Sequence, residues 1–290
     1  MESLDQRRLG RTELGASRLG LGGMYVIGHY HRSRSDAVRM IHRALDLGVN
    51  LIDTAASYFE SEEVFGEALQ GRRDDVIIAT KSYMRTRDRF TAELEASFRR
   101  LRTDVIDIYQ LHHVQYPHEL QQALEPGGVL EILQREKERG RVRFIGITAH
   151  HPGGLVDARR TGHFDTVQFP YNVIEAANFQ AVRDTARELD VGTLGMKPLS
   201  GGRLVSVEAA LRFCAASHID CTLAGCSSID QVEMDVAALA GPLEVSDADR
   251  AAMAEEVDGL SDLFCRRCRY CEKVCTANIP VSDVFRCHDY

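Results

Sequence analysis

Val49-Asn50-Leu51-Ile52-Asp53, Val76-Ile77-Ile78-Ala79-Thr80-Lys81 and Ile106-Asp107-Ile108-Tyr109-Gln110-Leu111-His112 are three mainly apolar runs, each followed by a polar side chain. Short runs with little polar alternation read as strands buried on both faces, the pattern of a parallel sheet. Neighbouring parallel strands lie about 4.8 Å apart. Asp53, Lys81 and His112, with Tyr58 just beyond the first run, would therefore converge at one end of the sheet. In an α/β barrel that end carries the chemistry. One polar residue at a strand end is ordinary, but four in successive units point to a shared site.

The same alternation extends outward from these runs. Leu19–Gly22 reads as an earlier strand, followed by a helix over Asp36–Leu47 with Val38, Ile41 and Leu45 on one face, Ser35 as its cap and Gly48 as its stop. Four more strands are expected at Val142–Thr148, Thr166–Phe169, Val191–Met196 and Cys221–Ala224. Helical patterns fall at Glu62–Leu69, Ala92–Leu101, Gly153–Arg160, Phe179–Leu189, Val207–Ser217 and Ile229–Leu239. Repeated units of this kind predict an α/β protein, a (β/α)8 TIM barrel, over an open doubly wound sheet. The first turn agrees: Gly20-x-Gly22-Gly23 runs into a long loop instead of opening a helix, as a dinucleotide fingerprint would. Arg7–Arg11 and Ser17–Arg18 flank a turn-prone segment, read as a hairpin closing the barrel bottom. The barrel is assigned to residues 1–257 and a cysteine-rich tail to 258–290, with Gly241-Pro242 and Gly259 as breaks.

Bulk properties exclude several classes. The 290 residues are 44% hydrophobic and 27% charged with a formal net charge of −8, and basic clusters such as Arg266-Arg267 are short. That balance argues against a nucleic-acid partner. No apolar run approaches the ~20 residues of a membrane helix, and the start, Met1-Glu2-Ser3-Leu4-Asp5, has no signal-peptide character. A cytoplasmic location is the expectation. None of the eight cysteines precedes Cys214, and five fall between Cys265 and Cys287, which suits a local metal or redox centre better than a disulfide scaffold.

Asn50 through Tyr58, continuing by Ser61-Glu62 to Gly66, together with Thr80-Lys81 and Ile106–His112, resembles the aldo-keto reductases, and the likeness runs from Gly10-Arg11-Thr12 to the helix after Ile229. The resemblance implies hydride transfer between NAD(P)H and a carbonyl or alcohol substrate (aldehyde, ketone or sugar), with Tyr58 exchanging the proton. The residue chemistry points the same way. A free phenol titrates near 10; a nearby Lys81 ammonium would lower that value, Asp53 would hold Lys81, and His112 would hydrogen-bond the carbonyl oxygen. His113 would point away as a packing or rim residue. A Schiff-base lysine and a catalytically silent redox-sensing or electron-transfer subunit are the competing readings. Pocket specificity would sit on Tyr25–Ser33, His113–Pro126 and the tail.

The resemblance also implies cofactor contacts. Gln168 matches the family's nicotinamide-amide glutamine, and Thr148-Ala149 stands where a Ser-Asn pair is usual. Met196 occupies a position often aromatic, while Lys197, Leu199, Gly201 and Arg203 lie where the pyrophosphate is wrapped. Gly22 and Gly23 would permit close backbone approach. In the loop after the last strand, Gly225, Ser227, Ser228 and Gln231 face the adenosine ribose; no Lys or Arg occurs from Gly225 to Asp235, which favours NADH over NADPH.

In the tail, Cys265, Cys268, Cys271 and Cys275 have C-x2-C-x2-C-x3-C spacing, which resembles half of a bacterial ferredoxin and predicts a [4Fe–4S] cluster. Thr276 replaces the usual proline after the last cysteine. Cys287 is the alternative fourth ligand, and a four-cysteine zinc site is the alternative occupant. The cluster could brace the barrel mouth or serve a redox partner protein. Cys214 and Cys221 read as core residues.

Overall fold

A computed structural model describes residues 4–26, 33–260, 265, 270–277, 279–281 and 284–285. Two short antiparallel strands, β1 (Gln6–Arg8) and β2 (Gly15–Ser17), precede eight parallel strands. These are β3 (Leu19–Gly22), β4 (Leu51–Asp53), β5 (Ile77–Ser82), β6 (Ile106–Leu111), β7 (Val142–Thr148), β8 (Thr166–Pro170), β9 (Gly192–Met196) and β10 (Cys221–Gly225). They close in the order β10-β3-β4-β5-β6-β7-β8-β9, so the barrel expected from the repeats is the observed architecture.

Most barrel strands are buried along their whole length, which is why they read as continuous apolar runs. Leu9, Leu14 and Ala16, from the β1–β2 hairpin, pack with Leu51, Ile77, Leu194 and Cys221 at the N-terminal ends of the strands. The hairpin therefore plugs the bottom of the barrel and leaves the C-terminal face open.

The helices are α1 (Arg34–Asp46), α2 (Ser61–Ala68), α3 (Arg87–Leu101), α4 (Pro117–Leu124), α5 (Val129–Glu138), α6 (Pro152–Ala158), α7 (Ala176–Glu188), α8 (Val207–Ala216), α9 (Ile229–Ala240), α10 (Asp247–Gly259) and α11 (Tyr270–Val274). Three expectations need correction. Ser33, not Ser35, caps α1, its Oγ accepting from Asp36 N at 3.1 Å, while Gly48 follows the helix end with φ +93°. Most of the expected loop His113–Pro126 is the helix α4, opened by Pro117 and capped where Glu119 Oε2 accepts from Tyr116 N at 2.9 Å. Finally, α5 and α10 have no counterpart in the sequence reading.

No helix of the described residues is long and apolar enough to cross a membrane. Cys268, Cys287 and residues 27–32 of the expected specificity loop lie outside the described residues.

Candidate active site

The register across the sheet brings the strand-end residues together. Asp53 sits opposite Ala79, and Lys81 opposite Gln110. After β4 the chain stays bonded to β5 through Thr54 N→Ala79 O (2.9 Å) and Ala56 N→Lys81 O (3.0 Å). It then turns tightly, with Tyr58 N donating to Ala55 O and Ser61 N to Tyr58 O, which swings the Tyr58 ring back over the barrel end. Phe59 follows with φ +47°, strain that a Phe accepts only where its surroundings impose it.

Lys81 is fully buried. Its Nζ donates to Asp53 Oδ1 (2.7 Å), Asp53 Oδ2 (2.6 Å) and Thr54 O (2.8 Å), and lies 5.2 Å from the centroid of the Tyr58 ring. Burial lowers the Lys81 pKa, opposed by Asp53. The Tyr58 phenol stands well above 10, pushed up first by burial and then by the Asp53 charge. This corrects the expectation that Lys81 depresses it. All three Lys81 donors are committed elsewhere, so burial prevails and the phenol stays protonated.

His112 meets Tyr58 edge-on at 5.9 Å and stacks on Tyr83 at 3.9 Å between centroids, while Arg85 donates to its carbonyl. Burial, then the positive charges of Lys81, His113 and Arg85, holds its pKa well below 6.5, so the imidazole is neutral. His113 does not point away. β6 ends at Leu111, and a left-handed His113 (φ +61°) directs its ring into the cavity, 4.7 Å from His150.

These side chains floor a cavity of about 670 Å³ at the C-terminal face. Of the residues singled out from sequence, Gly22, Gly23, Asp53, Tyr58, His112, Gln168, Met196, Lys197, Leu199, Gly201, Gly225, Ser227 and Gln231 line it. Lys81, Thr148, Arg203 and Ser228 do not. Lys81 and Thr148 are fully buried; Arg203 donates to Ser200 O at 3.3 Å, and Ser228 caps α9 by accepting from Gln231 N. Sequence reasoning missed Met24, Tyr83 and His150 on the walls. Tyr83 lies just past the end of β5 at Ser82, where strand alternation no longer fixes its direction.

The rim beside the cavity is built for close approach. Lys197, Ser200, Gly201 and Gly202 all have positive φ, and a Cβ on Gly202 would meet nothing within 4 Å. Gly225 is required differently, because a Cβ there would come 2.5 Å from the Tyr25 ring. Gln231 Oε1 accepts from Ser227 N (2.7 Å) and Ser227 Oγ (3.0 Å), organising the following loop.

In the tail, Cys271 and Cys275 form no disulfide, and Ile279 N donates to Cys275 Sγ at 3.4 Å. No group of three or more potential metal ligands assembles among the described residues. Cys214 and Cys221 are core residues, with thiols that burial pushes up.

Comparison with known proteins agrees with this architecture. The model of the "Aldo/keto reductase family" matches residues 18–210. The chain is 32% identical to aldo-keto reductase YhdN of Bacillus subtilis over 67% of its own length and 61% of that protein, so the match spans about three fifths of that relative. It is 26% identical to L-galactose dehydrogenase of Arabidopsis thaliana, covering 88% of this chain and 94% of that one. The holo form of aldo-keto reductase AKR11C1 from Bacillus halodurans superposes with a TM-score of 0.75 at 25% identity, covering 87% and 96% of the two chains.

Proposed function

This chain belongs to the aldo/keto reductase family, and from that premise we propose that it is an NAD(P)-dependent oxidoreductase acting on an aldehyde, ketone or sugar and the corresponding alcohols. The observation that carries the reading is the buried Asp53–Lys81 pair beneath Tyr58, with neutral His112 beside it on the floor of one cavity.

The cavity's residues fit a nicotinamide dinucleotide. Gln168 offers a carboxamide at the cavity floor, and Gly201 and Gly202 leave the rim open for backbone approach to a pyrophosphate. The absence of Lys and Arg from Gly225 to Asp235 favours NADH. The bound cofactor supplies or accepts the hydride at the substrate carbon.

Around that carbon, Tyr58 gives its proton to the carbonyl oxygen in the reductive direction, and neutral His112 has an N–H to orient the same oxygen. As the phenolate forms, the Lys81 charge 5.2 Å from its ring centroid offsets part of the burial cost without a hydrogen bond to it. Aromatic walls from Tyr25, Tyr83, His113 and His150 suit a sugar ring or an apolar carbonyl compound.

We assign residues 258–290 to a cluster-binding appendage of the barrel at 1–257. The thiols of Cys265, Cys271 and Cys275, with Cys268 in the same spacing, are the donor type a [4Fe–4S] group takes, and Cys275 Sγ already accepts a backbone N–H. Iron and sulfide analysis of anaerobically purified protein tests this assignment. The enzyme is expected to act in the cytoplasm.

The activity is tested by following NADH and NADPH absorbance with a panel of aldehydes, ketones, sugars and polyols. Turnover with at least one pair is expected. Failure to bind either cofactor would overturn the reading.

A further inference from the structure

We propose that Gln110 is a positioning residue, which orders the carboxamide of Gln168 for the nicotinamide end of the cofactor and ties it to the Asp53–Lys81 pair. This rests on the oxidoreductase reading above and extends it to a residue that touches neither cofactor nor substrate. Gln110 is fully buried on β6, and Gln168 on β8 is buried except where it meets the cavity.

Three side chains form a closed ring. Gln110 Nε2 donates to Asp53 Oδ1 at 3.2 Å and to Gln168 Oε1 at 2.8 Å, and Gln168 Nε2 donates to Asp53 Oδ2 at 3.1 Å. The logic of donors and acceptors allows one orientation for each amide. An ionised Asp53 only accepts, so Gln110 must turn its NH2 toward it. That same NH2 faces Gln168, so Gln168 must answer with its oxygen and present its own NH2 to Asp53. A flipped Gln168 would set NH2 against NH2 and lose both bonds. Gln110 Oε1 has no hydrogen-bond partner, so the orientation of Gln110 depends on its two donor contacts.

The backbone makes room for this arrangement. Gln110, Gly146 and Thr166 are register neighbours across β6, β7 and β8. A Cβ on Gly146 would lie 2.8 Å from Gln110 Cγ and 2.5 Å from Thr166 Oγ1. Only glycine lets the Gln110 side chain extend across the barrel to reach both Asp53 and Gln168. The nicotinamide carries a carboxamide of its own, and a partner amide of fixed polarity pairs with it in one sense.

The test compares two ligands by direct binding: NADH (or NADPH, whichever binds), and ADP-ribose, which lacks the nicotinamide ring. Gln110→Leu removes the donor, and Gly146→Ala crowds Gln110 and Thr166 Oγ1 while deleting no polar group. Circular dichroism and melting establish that each variant is folded, and either variant alone carries the test should the other fail to fold. The expected result is dinucleotide affinity weakened about five- to tenfold, the scale of a lost buried hydrogen bond, with ADP-ribose affinity within twofold of wild type. Equal weakening of both ligands would mean general distortion and would overturn the proposal, as would unchanged affinity for both. A wild-type protein that binds no dinucleotide would instead defeat the oxidoreductase reading, so the two failures are distinguishable.

Discussion

Replacing Lys81 by Met should be more damaging to the fold than removing the Asp53–Lys81 pair altogether. Asp53 is 4% exposed and receives two Lys81 bonds at 2.7 and 2.6 Å; without them it keeps only Gln110 and Gln168 as donors, at 3.2 and 3.1 Å. Stranding one member of a buried ion pair typically costs about 3–5 kcal/mol, whereas replacing both members by well-packed apolar residues of similar volume is often close to neutral. At roughly 2–4 °C per kcal/mol for a domain approaching this size, Lys81→Met should melt about 6–20 °C below wild type. The double variant Asp53→Asn/Lys81→Met should recover part of that loss, since its amide keeps one acceptor but sets an NH2 against the other donor, and should remain inactive. The single variant's deficit should also shrink toward acid pH, because the stranded carboxyl escapes its penalty by taking a proton. Urea or thermal denaturation at two pH values measures all three quantities. A Lys81→Met protein as stable as wild type, or a double variant no better than the single, would refute the account of the pair.

Three other outcomes follow from the same geometry. Burial raises Asp235 to about 6, with Cys226 Sγ 3.3 Å from its Oδ2; the folded state then holds a proton the unfolded chain releases from pH ~3.9 upward, so stability falls as pH rises through that window, and Asp235→Asn should stabilise by about 2 kcal/mol at pH 8 but little at pH 4 in denaturant titrations. His112 has the opposite slope, since its folded pKa lies below 6.5: its contribution is intact above that value and is lost as pH falls and the unfolded imidazole protonates, a pH dependence that His112→Gln should remove from melting curves. Gly66→Ala should cost about 3 kcal/mol, because a Cβ on α2 would run into Arg100 O and lie 2.8 Å from the Leu101 carbonyl carbon; a melting temperature within 2 °C of wild type would show that α2 and α3 pack less closely.

The barrel was legible because a strand buried on both faces leaves a continuous apolar run, and all eight such runs became strands. The region between β6 and β7 was not: read as the loop His113–Pro126, it holds α4, opened by Pro117, and is followed by α5 after Gly128. Asp53, Tyr58 and His112 could be placed at one site from strand ends alone. The direction of His113 could not, because it depends on a left-handed backbone angle that ends the strand's alternation. Nor could the phenol's pKa: it turns on where the three Lys81 donors point, and Asp53 and Thr54 take them all. Gln110 read only as part of an apolar strand, and its contact with Gln168 emerges once β6 and β8 face each other across the barrel.

Tyr58→Phe tests the central claim most directly, because it deletes one oxygen from a ring whose packing it leaves in place. The variant should bind the nicotinamide cofactor within about twofold of wild type and lose at least ~100-fold in kcat for carbonyl reduction, the range of a missing general acid. Turnover at the wild-type rate with the cofactor bound would contradict the account.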